Sequence, residues 1–271
     1  MADRTSCFRY FFFAVVLLIH DNGHGVFLPN KTLSFVFGHI ASIFCPVPYF
    51  SWKYVHQAHQ KWTGSREMGP TVPNGSFEEM SNSQRSIVDF CWKYWIPLIA
   101  MSYVVSTFYN VRKLDREFFQ PAKKRNYRLS IGLIVMVCLV LIIVFGTLFS
   151  KVWLLAAFIF LSISDPYLLS QHTHLDSKHI EEEKLKPVPF IEQDNHSRTI
   201  RFPSCAEKYI FYFSNYHGFH HQYPWISIYE LGQLKNQNEN EINWYDWLKI
   251  AKSMPGHILI FRSFEHTDIK L

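Results

Sequence analysis

The chain has 271 residues, enough for one large domain or two small ones, and a formal charge of +5 with its histidines neutral. Its 48% hydrophobic content is gathered into separated runs, which argues for segments that meet a membrane and against a single soluble core. Five cysteines (Cys7, Cys45, Cys91, Cys138, Cys205) are odd in number and form no CxxC pair, so neither a disulfide framework nor a zinc knuckle is indicated. No nucleic-acid partner is expected.

In chain order, the first apolar run is Phe8 to Ile19, interrupted only by Arg9. It is too short to span a bilayer unless the helix continues through His20 and His24, so residues 8–25 form a possible membrane segment. No small-residue cleavage site follows it, so a signal peptide is not expected. Residues 32–50 and 90–109 each have the length of a span, but Pro46, Pro48 and Pro97 interrupt them, and either can lie along the headgroups instead. Ser65 to Ser86 and Asp176 to Ser204 read as exposed connections. A basic linker from Arg112 to Arg128 precedes the clearest membrane signal, Leu129 to Phe149, which carries no charge. After Ser150 and Lys151 comes Val152 to Leu169, whose sole ionisable residue is Asp165. Segments 129–149 and 152–169 are expected to form a transmembrane hairpin, and the basic linker places its open end on the cytoplasmic side. The tail beyond Tyr229, with Trp244, Tyr245 and Trp247, suits an amphipathic helix at a membrane surface.

Nine of the 14 histidines are grouped: His20 and His24 in HDNGHG, His56 and His59 in HQAHQKWTG, His172 and His174 in QHTH, and His217, His220 and His221 in HGFHHQYP. Neutral imidazole suits iron, copper or zinc and brings no carboxylate charge to a site near a membrane. On a helix, spacings of four and three put His20 with His24 and His56 with His59 on one face, each pair within reach of one metal. In the last box the spacing of three pairs His217 with His220. The adjacent His221 is rotated about 100° and can address a second metal. Asp21 and Asn22 can support box-one ligands by hydrogen bonding.

The order and spacing of these boxes around a transmembrane hairpin, over residues 10 to 231, resemble the membrane fatty-acid desaturase superfamily. That resemblance implies an all-α membrane protein: a transmembrane helix bundle with a cytoplasmic, histidine-rich di-iron cap, occupying 1–271 as one domain. It implies two non-haem irons, O2 as co-substrate and an external electron donor, cytochrome b5 or ferredoxin. The implied metal ligands are His20, His24, His56, His59, His172, His217, His220 and His221, with His174 a less favoured substitute for His172. The implied reaction is insertion of a double bond into a lipid acyl chain. Hydroxylation or ketolation of a lipid or carotenoid, or a non-catalytic role on the same fold, are the alternatives. A multispanning chain of this kind belongs in the endoplasmic reticulum of a eukaryote or the inner membrane of a bacterium, with its boxes facing the cytoplasm.

Two departures stand out. The family's second box usually ends in a third histidine, where this chain has Gln60, whose amide can coordinate weakly through oxygen or only hydrogen-bond. The family also normally has a complete transmembrane hairpin before box one, where here about 19 residues precede His20. Among other polar residues, Asp165 can hydrogen-bond a ligand histidine or cap a turn at Pro166, and Asn215 can hold a water on a metal. Trp52, Trp62 and Trp225 are expected at the membrane interface, with an acyl tunnel as the alternative. The basic linker reads first as a positive-inside anchor and second as a dock for an acidic electron carrier. No haem-binding HPGG, GxGxxG or cysteine cluster supplies a fused donor domain.

Overall fold

A computed structural model describes residues 4–45, 47–65, 80–175, 186–234 and 240–262. Loop expectations for 66–79 and 176–185, and the break expected at Pro46, lie outside the described residues. The chain is mostly helical and divides into two compact units, Met1–Gln57 with Ala100–Leu161 and Ala58–Ile99 with Ser162–Leu271.

The first unit begins with α1 (Arg4–His24), which runs on through both box-one histidines, as a span from residue 8 would require. Helix α2 (Lys31–Phe44) starts at Asn30, whose side chain accepts from the backbone N–H groups of Thr32 and Leu33. It stops at Phe44, and α3 begins at Tyr49 and ends at Lys61. Residues 32–50 are therefore not one straight helix, and the 14 residues of α2 reach only about 21 Å. Val15 and Ile19 of α1, Ala41 and Cys45 at α2, and Tyr49 of α3 form a buried cluster. Tyr49 lies over Gly38, where an added Cβ would come within 2.6 Å of its ring. Its hydroxyl donates to the carbonyl of Asn22 at 3.0 Å, and Ser34 Oγ donates to Asn22 Oδ1 at 2.8 Å. Asn22 thus ties the box-one turn to both following helices.

Further along, Leu98–Val104 (α5), a π-helical turn (Val105–Tyr109) and α6 (Val111–Glu117) lead to α7, Pro121–His172. Helix α4 (Asn82–Lys93), opened by a capping box between Ser81 and Gln84, ends before Trp95 adopts a φ of 58°. Residues 90–109 are accordingly divided between the end of α4 and an apolar helical stretch from Leu98 to Tyr109, and do not form one continuous helix.

Helix α7 is 52 residues long and departs from helical geometry at Gly146, with φ 53° and ψ −131°. Its two arms both pack on α2: Ser130 Oγ meets His39 Nε2 at 2.9 Å, and Trp153 Nε1 donates to the Phe44 carbonyl at 3.4 Å. On a straight helix, residues 130 and 153 would stand about 34 Å apart, whereas residues 39 and 44 are separated by about 7.5 Å. The chain therefore folds back between the arms. The break falls at Gly146, before the expected Ser150–Lys151 link, because glycine alone enters this backbone region at little cost. Among the described residues α7 is the one helix long and apolar enough to cross a membrane. Its outward residues are apolar, Ile143 being 80% exposed.

The second unit is built on shorter pieces. A 3-10 helix (Phe190–His196), strand β1 (Thr199–Arg201), α8 (Ser204–Tyr209), α9 (His217–Gln222) and α10 (Ile228–Leu231) follow α7. Strand β2 (Glu241–Asn243) pairs in parallel with β1, Ile200 opposite Ile242, and leads into α11 (Trp244–Ser253) and α12 (Gly256–Phe261). Structure thus begins inside both stretches expected to be connections, with α4 in one and the 3-10 helix and β1 in the other. Trp247, Ala251, Met254 and Leu259 of this tail pack with Trp92 of α4. The tail helix α11 is therefore anchored in protein on one face.

Candidate metal centre

Four histidines of the second unit converge. His59 comes from the last turn of α3, His172 from the end of α7, and His217 and His221 from α9. Their ligand nitrogens lie within 4.8 Å of one another. The Nε2 atoms of His59 and His172 are 3.2 Å apart, those of His217 and His172 2.9 Å, and those of His221 and His217 3.0 Å.

Outward bonds decide what those nitrogens present. His172 Nδ1 donates to the His196 carbonyl at 3.1 Å, and His221 Nδ1 donates to Gln193 Oε1 at 3.0 Å. With the proton held on Nδ1, Nε2 carries a lone pair aimed inward. Burial holds His59 neutral far below the usual imidazole range, with His172 adding to the effect, and burial pulls His172 down to about 4 despite its bond to the His196 carbonyl. Neutral lone pairs this close repel unless a cation sits among them. Four nitrogens about 2.1 Å from one metal, at angles of 90–100°, would stand about 3.0–3.2 Å apart, so the donor set fits a divalent transition metal.

Sequence spacing did not foresee what supports this set. Gln193 is fully buried and also donates to the carbonyls of Gln60 and Val188, so one amide links the end of α3 to the ring of His221. Arg198, 1% exposed, donates to the Ser170 carbonyl at 2.6 Å and the Thr173 carbonyl at 3.1 Å, while its own N–H bonds the Gln171 carbonyl. These bonds satisfy the last carbonyls of α7 around His172. Burial lowers the Arg198 guanidinium to about 10, still charged at neutral pH. The His196 ring lies on Gly64, whose φ of 85° and missing Cβ, 2.5 Å from that ring if added, explain the glycine closing HQKWTG.

The first unit holds a second group. His20 and His24 of α1 and His56 of α3 stand with ring centroids 4.8–4.9 Å apart, and the Nε2 atoms of His24 and His56 are 2.9 Å apart. Asp21 is beside His20 Nδ1 at 3.1 Å, where its carboxylate can accept a hydrogen bond from the ring and fix its orientation. Trp52 stacks on His56 and meets His20 edge-on. An added Cβ at Gly23 would lie 2.3 Å from Trp52, so the glycine of HDNGHG makes room for that indole. Trp52 is thus packed on the rings of His20 and His56.

Several expectations change. His56 and His59 share α3 but belong to different groups. In the last box His217 pairs with His221, at a spacing of four, and His220 is the one left outside the four-histidine set. Both spacings lie on one helical face, and the bond from Gln193 selects His221. His174, with a φ of 53°, stays outside both groups while His172 joins one. Asp165 lines a cleft with Trp92, Trp95 and Lys252 in place of bonding a ligand histidine, and Pro166 sits within α7 and forms no turn. Asn215 donates from Nδ2 to the Ile200 carbonyl and Glu207 Oε1, which anchors the approach to α9 to β1. Gln60 is 5% exposed, and its Nε2 lies 2.6 Å from His220 Nε2.

A family model described as "Fatty acid desaturase" matches residues 5–252. The chain belongs to the fatty acid desaturase family. It is 29% identical over 113 residues to an acyl-lipid omega-3 desaturase (cytochrome b5) of the endoplasmic reticulum from Arabidopsis thaliana, covering 41% of this chain and 28% of that protein. It is 30% identical over 89 residues to the sn-1 acyl-lipid omega-3 desaturase (ferredoxin) of Synechocystis, covering 33% and 24%. An omega-6 fatty acid desaturase of the endoplasmic reticulum from Brassica juncea is 43% identical over 53 residues, covering 20% and 14%. The matches thus span less than a third of the length of each of these desaturases.

Proposed function

We propose that this desaturase-family chain is a membrane-bound acyl-lipid desaturase whose eight box histidines hold two non-haem irons. The observation that carries the reading is the four-histidine set, with the Nε2 lone pairs of His172 and His221 turned inward by outward Nδ1 bonds. One iron takes His59, His172, His217 and His221. The other takes His20, His24 and His56, and the family's pattern adds His220 to the ligands. Bound iron would supply the activation of O2 needed to remove hydrogen from unactivated carbon. The overall change is R–CH2–CH2–R′ + O2 + 2 e⁻ + 2 H⁺ → R–CH=CH–R′ + 2 H2O.

The chain's own part is to keep the donors neutral, oriented and dry. Burial holds the rings of His59 and His172 unprotonated, and the bonds from Gln193 and the His196 carbonyl fix their partners' tautomers. The outward apolar face of α7 supports a membrane hairpin turning at Gly146, with further contact by α1. The printed names of two relatives support a cytochrome b5 or ferredoxin donor, and the exposed Arg112, Arg116, Arg125 and Arg128 offer a positive surface for an acidic carrier on the cytoplasmic side. The membrane is that of the endoplasmic reticulum in a eukaryote or the inner membrane in a bacterium.

Lipid profiling of cells expressing the chain with either donor tests the reading. A new acyl double bond, lost in His217→Ala, is expected. A hydroxylated or oxo lipid would assign the sister chemistry, and an unchanged lipid profile with iron-loaded protein would reject both.

A further inference from the structure

Glu207 of α8 is only 3% exposed, and its carboxylate is surrounded by donors from outside its own helix. Oε1 accepts from Arg201 Nε at 3.0 Å, from the Phe202 N–H at 3.1 Å and from Asn215 Nδ2 at 3.1 Å, and Oε2 accepts from the Tyr216 hydroxyl at 3.1 Å. Burying a carboxylate is costly, and hydrogen bonds to both oxygens offset that cost and leave the group little freedom to turn. Arg201 closes β1 and Phe202 follows it, while Asn215 and Tyr216 are the two residues directly before His217. Glu207 therefore fastens the entry of α9 to the end of β1.

The segment it fastens has little to hold itself. Between α8 and α9 the backbone passes through Tyr212 and Phe213 with φ of 49° and 64°, a left-handed region that costs energy for a residue with a Cβ. Helix α9 has six residues, against the roughly 12 that an isolated helix needs to persist in water. The aim of His217 and His221 is thus set by what is fixed on their N-terminal side. There Asn215 bonds Ile200 in both directions, its carbonyl accepting from the Ile200 N–H at 3.0 Å and its Nδ2 donating to the Ile200 carbonyl at 2.8 Å. From this arrangement we infer that Glu207 is a positioning residue for the four-histidine set. Acting through Asn215 and Tyr216, it fixes where α9 starts and so holds His217 and His221 against His59 and His172 at the spacing a metal needs. The inference rests on the reading of those four histidines as a metal site.

The test is a titration of metal-free, full-length protein in detergent micelles with Co(II), followed by d–d absorption and paired with thermal unfolding of the metal-free protein. The phase that disappears in His217→Ala reports the four-histidine set. Glu207→Gln keeps the size of the side chain, but whichever way the amide turns, one of the donors meets a nitrogen that cannot accept. It should weaken that phase about 10- to 100-fold, the range for a residue that supports a metal ligand, and shift its d–d bands. Tyr216→Phe removes one donor alone and should weaken the phase about fivefold, the equivalent of one net hydrogen bond, and it carries the test if Glu207→Gln does not fold. Affinity and bands unmoved in every variant that folds, whether or not the unfolding temperature drops, would make Glu207 a residue of the fold alone and overturn the inference while the metal site stands. A folded wild type with no Co(II) phase that depends on His217 overturns both.

Discussion

His20, His24 and His56 are presented by the interiors and ends of two long helices, whereas His59, His172, His217 and His221 come from two helix ends and one six-residue helix. The first group needs little help. Regular helix geometry stacks His20 on His24, and the oriented partner is a carboxylate next door in sequence, Asp21. The second group has no such regularity, and it is held by Gln193 and the His196 carbonyl, from the 3-10 helix Phe190–His196, and by Arg198 just beyond it. Histidines on long helices carry their own geometry, while histidines on element ends borrow it from polar groups packed around them.

That contrast predicts where damage falls. The largest effect is expected from removing a ligand: His217→Ala and His24→Ala should each lower turnover by more than about a hundredfold, beyond the 10- to 100-fold typical of a supporting residue. Metal content by mass spectrometry should fall by one per chain in His217→Ala. Next is Arg198→Met, which strands the buried carbonyls of Ser170 and Thr173 and should cost about 3 kcal/mol, read by thermal unfolding in micelles. An unchanged unfolding curve would show that the end of α7 does not need its cation.

Gln193→Leu should weaken metal binding by the four-histidine set about 10- to 100-fold through loss of the His221 tautomer, and Gln193→Glu should restore most of it. Equal weakening of His20, His24 and His56 would erase the distinction between the groups. Smallest is Gly23→Ala, where the new Cβ displaces Trp52 from its place on His56 at a cost of about 1–3 kcal/mol. Trp52 fluorescence should report the displacement, and a spectrum identical to wild type would remove Trp52 from the support of this group.

The ligand types, the family and the apolar α7 region were legible because each is a local pattern: imidazoles at spacings of three and four, and a charge-free run long enough to span. The grouping of the ligands was not. Spacings of three and four both put side chains on one helical face, so sequence could not choose His217 with His221 over His217 with His220, nor assign His56 and His59 to different groups. Gln193 and Arg198 sit in a charged, proline-containing stretch that reads as solvent loop, and nothing in their neighbours signals that both are buried.

By itself, then, the sequence determined the chemistry available: neutral nitrogen donors, an apolar span and a box ending in Gln60 where a further imidazole belongs. Tertiary structure alone decided which nitrogens stand together, which carry their proton on Nδ1, and what Gln60 touches. The reason is physical. A lone pair's direction depends on the hydrogen bond made by the opposite ring nitrogen, and here those partners, Gln193 Oε1 and the His196 carbonyl, come from distant segments of the chain.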